Sequence, residues 1–596
     1  MLGKSRFSRR PVLCAAALSA VTLVGGPGPV GLSPASAATS KVALSRGVPE
    51  APASVTLAQV GVAPDLRVSW KPSTAGVAAT GALVQLHAAN SSGKAIAKGQ
   101  IICGNACTSA VFRSLSFGTR YTAEVWASDA AGKGTPKVSP PASPTTSCTV
   151  GACETFDSAQ PIGPANHAAS GVLKSVYPGG RDQADMTTLK TTMFRGNPPY
   201  VGGTLNWSSW KVAVASGAQT TMMLSSLWKG YNSGPPPTPW SDWSRYTKWV
   251  TTTVTSIVAS KEKVDYWDVY NEPGGADYYS AAGYATVTPA LLLQQFLVTY
   301  RAIRKADPSA AIIGPSLQHW SDYPSEYTRP GIANHEFDMV TFLNFAAKND
   351  LKLAAISWHE IDDGPGPHPS ENTLLPANIE DHVAEARTLL AARPSLGKPL
   401  IFVNEYALPE LQSIPGWDVA YLAALTDARV NSAVRSCWFG DCGGPTLDGL
   451  LGPGGRTTLP SYWDRTIYAS MSGDMIATTS TNDNVTAVGS YNASTHTVTG
   501  LIGRGVSCNQ VPTCTKGFPG STLAAPTTVK VTITVPWKTG SVDVSLTRVP
   551  GSRIVAIGRP TARQSHQSVT AAGTVTISMQ KFADGDAYGF TITRIS

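Results

Sequence analysis

The sequence predicts a multidomain chain in which a (β/α)8 TIM barrel is flanked by an N-terminal and a C-terminal β-sandwich. Three observations carry that expectation. Between residues 154 and 475, short apolar stretches alternate with longer helical ones, as in a parallel α/β fold. On either side, residues 50–147 and the residues after 475 alternate apolar and polar with period two. The length, 596 residues, exceeds one ordinary domain and calls for two to four.

Composition sets the class. The chain is 42% hydrophobic and only 14% charged, which suits a globular protein with large cores. Its 55 glycines and 44 prolines imply many turns and β-structure rather than helical arrays.

Residues 1–37 read as an export signal. Lys4, Arg6, Arg9 and Arg10 precede the apolar stretch "VLCAAALSAVTLV", and the small residues Ala35, Ser36 and Ala37 follow. "SRRPVL" resembles a twin-arginine signal, with the Sec route as the alternative. The apolar stretch is too short to span a bilayer comfortably. The expected mature protein is secreted, extracellular and not membrane-bound. Losing the leader's four positive charges takes the net charge from +8 to +4, too mild to suggest a nucleic-acid partner.

Cys14 lies in the leader. The other eight cysteines form four close pairs: Cys103 with Cys107, Cys148 with Cys153, Cys437 with Cys442, and Cys508 with Cys514. On an exported chain such pairs read as local disulfides. A zinc site is the rival reading, but the pairs are scattered and lack CxxC spacing.

In residues 38–147, "SVTLAQVG", "LRVSWKPS", "GALVQLHAA" and "RYTAEVWASDAAGKG" are strand candidates, and "SPPASPTTSCTVGAC" reads as a linker. Trp70 and the Leu-x-x-Gly-x-x-Tyr run "LSFGTRY" (Leu115, Gly118, Tyr121) resemble the core tryptophan and tyrosine corner of a fibronectin type III module. In such a corner the buried tyrosine's hydroxyl bends back to the backbone.

Residues 148–475 supply the barrel. Seven strand candidates follow in order: "TTMFRG", "TTMMLSSLW", "VDYWDVYNEP", "AAIIGPS", "LAAISWHEI", "PLIFVNEYA" and "VRSCWFGDC". "WSRYTKWVTTTVTSIVAS", "PALLLQQFLVTYRAIRKADP" and "NIEDHVAEARTLLAAR" are helix candidates between them. The first strand is weakly marked, near "QPIGPANH". In residues 476–596, "NVTAVGSYNASTHTVTGLIGRG", "TTVKVTITVPW", "GSVDVSLTRV" and "GDAYGFTITRI" alternate as strands of the second sandwich.

Two barrel strands end in the same way. The fourth runs into Asn271-Glu272-Pro273 and the seventh into Asn404-Glu405. Strand C-termini face one end of a barrel, where catalytic groups gather. Two carboxylates facing each other across a sugar are the working parts of glycoside cleavage, one protonating the leaving oxygen and one attacking carbon.

With these two strand ends the segment resembles the clan A retaining glycoside hydrolases. In that clan an Asn-Glu after strand four gives the acid/base and a Glu ending strand seven the nucleophile. Asn271-Glu272 matches the first and Glu405 the second. Arg195 ends the second strand, where the clan keeps an arginine beside the nucleophile. His359 ends the sixth, where a histidine is expected, and Trp438 ends the eighth, where an aromatic forms a floor for the sugar. Each alone has a plainer reading: a solvated arginine, a core histidine, a packed tryptophan. The sequence departs from the clan at Ile361, where a tyrosine often orients the nucleophile; Tyr406 or another tyrosine would then substitute.

The layout resembles family 39 most, with families 5, 30 and 51 as alternatives. The resemblance implies a secreted enzyme acting by double displacement on O-glycosidic bonds of a plant or microbial polysaccharide or oligosaccharide, with a pentose-containing glycan preferred. A non-catalytic carbohydrate-binding protein and a transglycosylase are the alternatives. Trp228, Tyr231, Trp240, Trp243, Trp320 and Tyr323 are candidate sugar platforms, although Trp240 and Trp243 also read as core. "HEIDD" and "DGPGPHP" match no metal-cage spacing, and no cofactor or metal is expected.

Overall fold

Eight short parallel strands close into a barrel: Gly171–Leu173, Met193–Gly196, Gln219–Met223, Tyr266–Asp268, Ile312–Leu317, Ala355–Glu360, Leu400–Tyr406 and Ser432–Arg435. This computed structural model describes residues 48–595 apart from internal segments, the longest being 225–239, 274–287, 321–336, 362–375, 437–446 and 507–523. Strands follow one another round the barrel in chain order, and the first pairs with the last, Gly171 opposite Val434 and Val172 opposite Arg435.

The strands are apolar on both faces because both are covered. Inside, Leu173, Met193, Ile313, Ala355, Phe402 and Val434 form one plug. Outside, Phe194, Trp267, Ile312, Ile356, Trp358, Val403 and Ala433 join the larger core shared with the helices.

Helices begin where the sequence supplies a cap. Asp242, Thr288 and Asp338 precede Trp243–Ala259, Pro289–Ala306 and Met339–Lys348. Their side chains accept from the backbone N–H of Arg245 (2.9 Å), Leu291 (3.4 Å) and Thr341 (2.6 Å).

Helix Pro415–Asp427 differs in being buried on every side from Pro415 to Leu425. A β-sheet packs on its outer face. The contact is close enough that a Cβ on Gly416 would lie 2.0 Å from the carbonyl oxygen of Arg504.

That sheet has nine strands. Their spatial order is Ala562–Ser568, Ser541–Val549, Ala587–Arg594, Thr497–Arg504, Val485–Asn492, Asp474–Ser480, Ala152–Pro164, Thr527–Thr534 and Thr574–Phe582. One apolar cluster gathers Val542 and Val544 from one side with Val575 and Ile577 from the other, around Phe156 and Phe590.

The strand Ala152–Pro164 corrects the sequence reading. It pairs antiparallel with Asp474–Ser480 and parallel with Thr527–Thr534, so it belongs to this sheet and not to the barrel. "QPIGPANH" overlaps its end, and the first barrel strand comes later, at Gly171–Leu173.

The N-terminal module has a sheet of Ser54–Gln59, Leu66–Lys71 and Ser109–Phe112, and a second built on Ala95–Cys103, Gly81–Ala89 and Tyr121–Asp129. Residues of both sheets, with Trp70 and Tyr121, share one core. The Tyr121 hydroxyl accepts from the backbone N–H of Ser116 at 2.9 Å.

Of the four expected disulfides, the structure forms one among the described residues, between Cys148 and Cys153. The other three do not appear there. The side chain of Cys103 and the whole of Cys107 lie outside the described residues. So do Cys437 and its expected partner Cys442, and Cys508 and its expected partner Cys514, because both pairs fall in the segments 437–446 and 507–523. The expected leader, residues 1–37, lies outside them as well. Among the described residues no helix is long and apolar enough to cross a membrane.

Candidate active site

Asp268 is the anchor of the polar layer above the plug. It is a fully buried carboxylate in an otherwise apolar strand, and it collects donors from three other strands. Arg195 Nε donates to its Oδ2 at 2.9 Å, Asn404 Nδ2 to the same oxygen at 2.9 Å, and Ser316 Oγ to its Oδ1 at 2.7 Å. Ser316 Oγ also lies 2.9 Å from Ser357 Oγ and accepts from Asn404 Nδ2 at 2.7 Å. Buried polar groups are tolerated when their partners are supplied in this way.

Arg195 passes this order upward to the cleft. Its Nη1 donates to Glu405 Oε1 at 2.6 Å, and its Nη2 to Asn271 Oδ1 at 3.1 Å and the Tyr270 carbonyl at 3.4 Å. Burial alone would lower the guanidinium's pKa. The carboxylates of Asp268 and Glu405, with the Asp268 hydrogen bond, outweigh it and hold the pKa above its ordinary value.

Glu405 reaches the cleft through a bulge in its strand. Trp358 pairs with Val403 and His359 with Glu405, so Asn404 is an extra residue on the seventh strand. The same shift appears on its other side, between Val403 and Tyr406. Two consecutive side chains, Asn404 and Glu405, therefore both serve the polar layer, which strict alternation forbids.

Glu272 stands opposite, on the fourth strand's outgoing loop. Its backbone is left-handed (φ 51°), as is that of Ser316 (φ 52°), and its N–H donates to the Ser316 carbonyl at 2.9 Å. Such a conformation in a non-glycine residue is held by its surroundings and clusters at functional sites. Its Oε1 lies 2.9 Å from His359 Nδ1, and the other ring nitrogen of His359 lies 3.9 Å from Glu405 Oε1. The Glu272 side chain is 24% exposed and that of Glu405 1%, so Glu272 opens to solvent while Glu405 sits deep.

One carboxylate oxygen from each glutamate and one His359 nitrogen all lie within 4.8 Å of one another. Such a trio can ligate a cation. Here, however, Arg195 already places its positive charge on Glu405 Oε1, and like charges disfavour a resident metal at that point.

The structure therefore brings together Asn271, Glu272, Arg195, His359 and Glu405. Trp438, Trp228, Tyr231 and Tyr323 lie outside the described residues. Tyr406 is not in the cleft. It is fully buried, donates to the Ala169 carbonyl at 2.6 Å and accepts from Arg465 Nη2 at 2.7 Å, so it cannot take the orienting role suggested for it. Ile361 is buried as well.

Trp320 is packed behind the sixth strand against Trp358 and His382, and its indole N–H donates to Glu385 at 2.8 Å. Trp240 and Trp243 pack on the core.

Asp268, Ser316 and Ser357 were missed in the sequence. Asp268 had a signal, a lone carboxylate inside an apolar parallel strand.

No family model and no curated protein matches the sequence. Solved structures do match. N2152 from Neocallimastix frontalis superposes with a TM-score of 0.58 at 18% identity, over 74% of this chain and 100% of that one. A glucosidase from Croceicoccus marinus gives a TM-score of 0.53 at 14% identity, over 75% of this chain and 99% of that one. At such identity the likeness is one of fold: the chain is a (β/α)8 barrel protein sharing its architecture with these two.

Proposed function

We propose that the chain is a retaining glycoside hydrolase in which Glu405 is the nucleophile and Glu272 the acid/base. The observation that carries this reading is the facing pair of carboxylates, with oxygens within 4.8 Å of each other at the ends of the fourth and seventh strands. Carboxyl groups are about 5–5.5 Å apart in retaining enzymes and about 6.5–9.5 Å apart in inverting ones, which must fit a water between them.

Glu405 attacks the anomeric carbon, and the bond to the leaving oxygen breaks as Glu272 protonates it. Water then enters, gives its proton to Glu272 and releases the sugar from Glu405. Arg195 and His359 hold the two carboxylates in place throughout. Asn271 accepts from Arg195 through its Oδ1, so the amide nitrogen is the group it has to offer the sugar as a donor.

The proposal extends to an exported enzyme of clan A, with a layout closest to family 39 and a pentose-containing glycan as substrate. Aryl pentosides and hexosides of both anomeric configurations provide the test. The wild type should hydrolyse at least one and the Glu272→Gln variant should lose that activity on substrates with poor leaving groups. A wild type inert on the whole panel, or an unimpaired Glu272→Gln, would contradict the reading.

A further inference from the structure

Arg113 follows the last strand of the N-terminal module's three-stranded sheet, and its side chain is only 17% exposed. Its Nη1 donates to Asp65 of the same module at 3.2 Å, which fixes the direction of the guanidinium. Its Nη2 reaches out of the module to the Ala377 carbonyl at 3.0 Å and Asp381 Oδ2 at 3.0 Å. Arg67 of the module lies 3.9 Å from the other oxygen of Asp381.

Ala377 and Asp381 belong to the first turn of helix Asn378–Ala391, which follows the sixth barrel strand. In a barrel of this kind, the chain leaves a strand's C-terminal end and enters the next helix at its N-terminus. Both ends lie on the face that carries the site. Burial lowers the Arg113 pKa, but the carboxylates of Asp381, Asp65, Glu380 and, in the turn between two strands of the nine-stranded sheet, Asp483 outweigh it and hold it above the ordinary value. The guanidinium thus contacts carboxylates of both the module and the barrel, and a planar fork suits such shared contacts.

We propose that Arg113 docks the N-terminal module against the catalytic face as a fixed wall beside the sixth strand, contacting glycan chains too long for the cleft alone. The role of that wall rests on the glycosidase reading; the docking does not. Interfaces within a chain are often mobile unless specific contacts hold them. A half-buried arginine whose Nη2 bonds both a carbonyl and a carboxylate of a helix's first turn is such a contact.

The test uses the full chain. Asp381→Arg sets a third positive charge against Arg67 and Arg113 while leaving the module's own Arg113–Asp65 pair intact. X-ray scattering should show a larger radius of gyration than the wild type. Subtilisin should cut residues 139–147 on the order of tenfold faster, as local opening becomes easier. The rate on soluble arabinoxylan should fall several-fold while the rate on an aryl pentoside stays unchanged. Arg113→Ala, acting from the module's side, should behave the same way.

Scattering and proteolysis unchanged in both variants would overturn the docking. A released module with an undiminished arabinoxylan rate would overturn the wall. A wild type that cleaves no glycoside would overturn the glycosidase reading and the wall together, and scattering would still decide the docking.

Discussion

Nη1 of Arg195 lies 2.6 Å from Oε1 of Glu405, and both side chains are sealed from solvent. The same guanidinium lies 2.8 Å from Asp268, so one positive charge serves two buried carboxylates. Removing it would leave both uncompensated. Arg195→Ala should cost about 3–5 kcal/mol of stability, as expected when one partner of a buried ion pair is lost. Turnover should fall on the order of a hundredfold or more, the scale of losing one preorganised charge-stabilising donor. Urea melts and kcat/KM on an aryl glycoside check the two parts separately.

Asp268 touches Arg195, Asn404 and Ser316 rather than the cleft, so its role is to position. Asp268→Asn keeps the shape and removes the charge. Its effect should not add to that of Arg195→Lys: a double-mutant cycle should give a coupling of about 0.5–3 kcal/mol, the range for residues in one network. Additive losses in kcat/KM would show that Asp268 does not act through Arg195.

Tyr406 hydrogen-bonds to Ala169 and Arg465, and burial pushes its phenol up to about 12 despite the nearby Arg465. Arg465 in turn grips Asp418 through two bonds of 2.7 Å. Tyr406→Phe should therefore cost about 1–3 kcal/mol in stability, the penalty for leaving buried partners unmatched. KM on a small glycoside should stay that of the wild type, because the hydroxyl bonds Ala169 and Arg465 and not the cleft. A large KM rise without loss of stability would return Tyr406 to the substrate site.

His167 precedes the first barrel strand, and its Nε2 lies 3.2 Å from the Met471 carbonyl. Burial, and then the Lys190 ammonium, lower its pKa to about 4 from the ordinary 6.5. Below 6.5 the unfolded chain binds a proton that the folded chain refuses until about pH 4, so stability falls as pH drops through that window. His167→Asn, which tolerates the left-handed backbone at this position (φ 54°), should flatten the melting temperature between pH 6.5 and 4. An unchanged slope in thermal melts would contradict the assignment.

Seven of the eight barrel strands were legible because each is a buried run ended by polar or turn-forming residues. Gly171–Leu173 was not, since three residues carry no periodicity. Ala152–Pro164 was placed in the barrel segment although its burial alternates at its start, from Ala152 through Phe156 to Ser158. Its partners lie over three hundred residues away, at Asp474–Ser480 and Thr527–Thr534, and no local pattern points to them.

At the site, Glu272 and Glu405 were visible from strand ends alone. Strict alternation turns Tyr406 inward, whereas the extra residue at Asn404 turns it out. A one-residue shift of register leaves no trace in composition.

If Glu405 attacks carbon directly, no water stands between its carboxylate and the sugar. A proton NMR time course on an aryl glycoside, read before mutarotation, tests it most directly. The first sugar released should keep the substrate's anomeric configuration. Glu405→Ala should be nearly inactive, and azide should rescue it to a glycosyl azide of inverted configuration. An inverted sugar as the wild type's first product would rule out that direct attack.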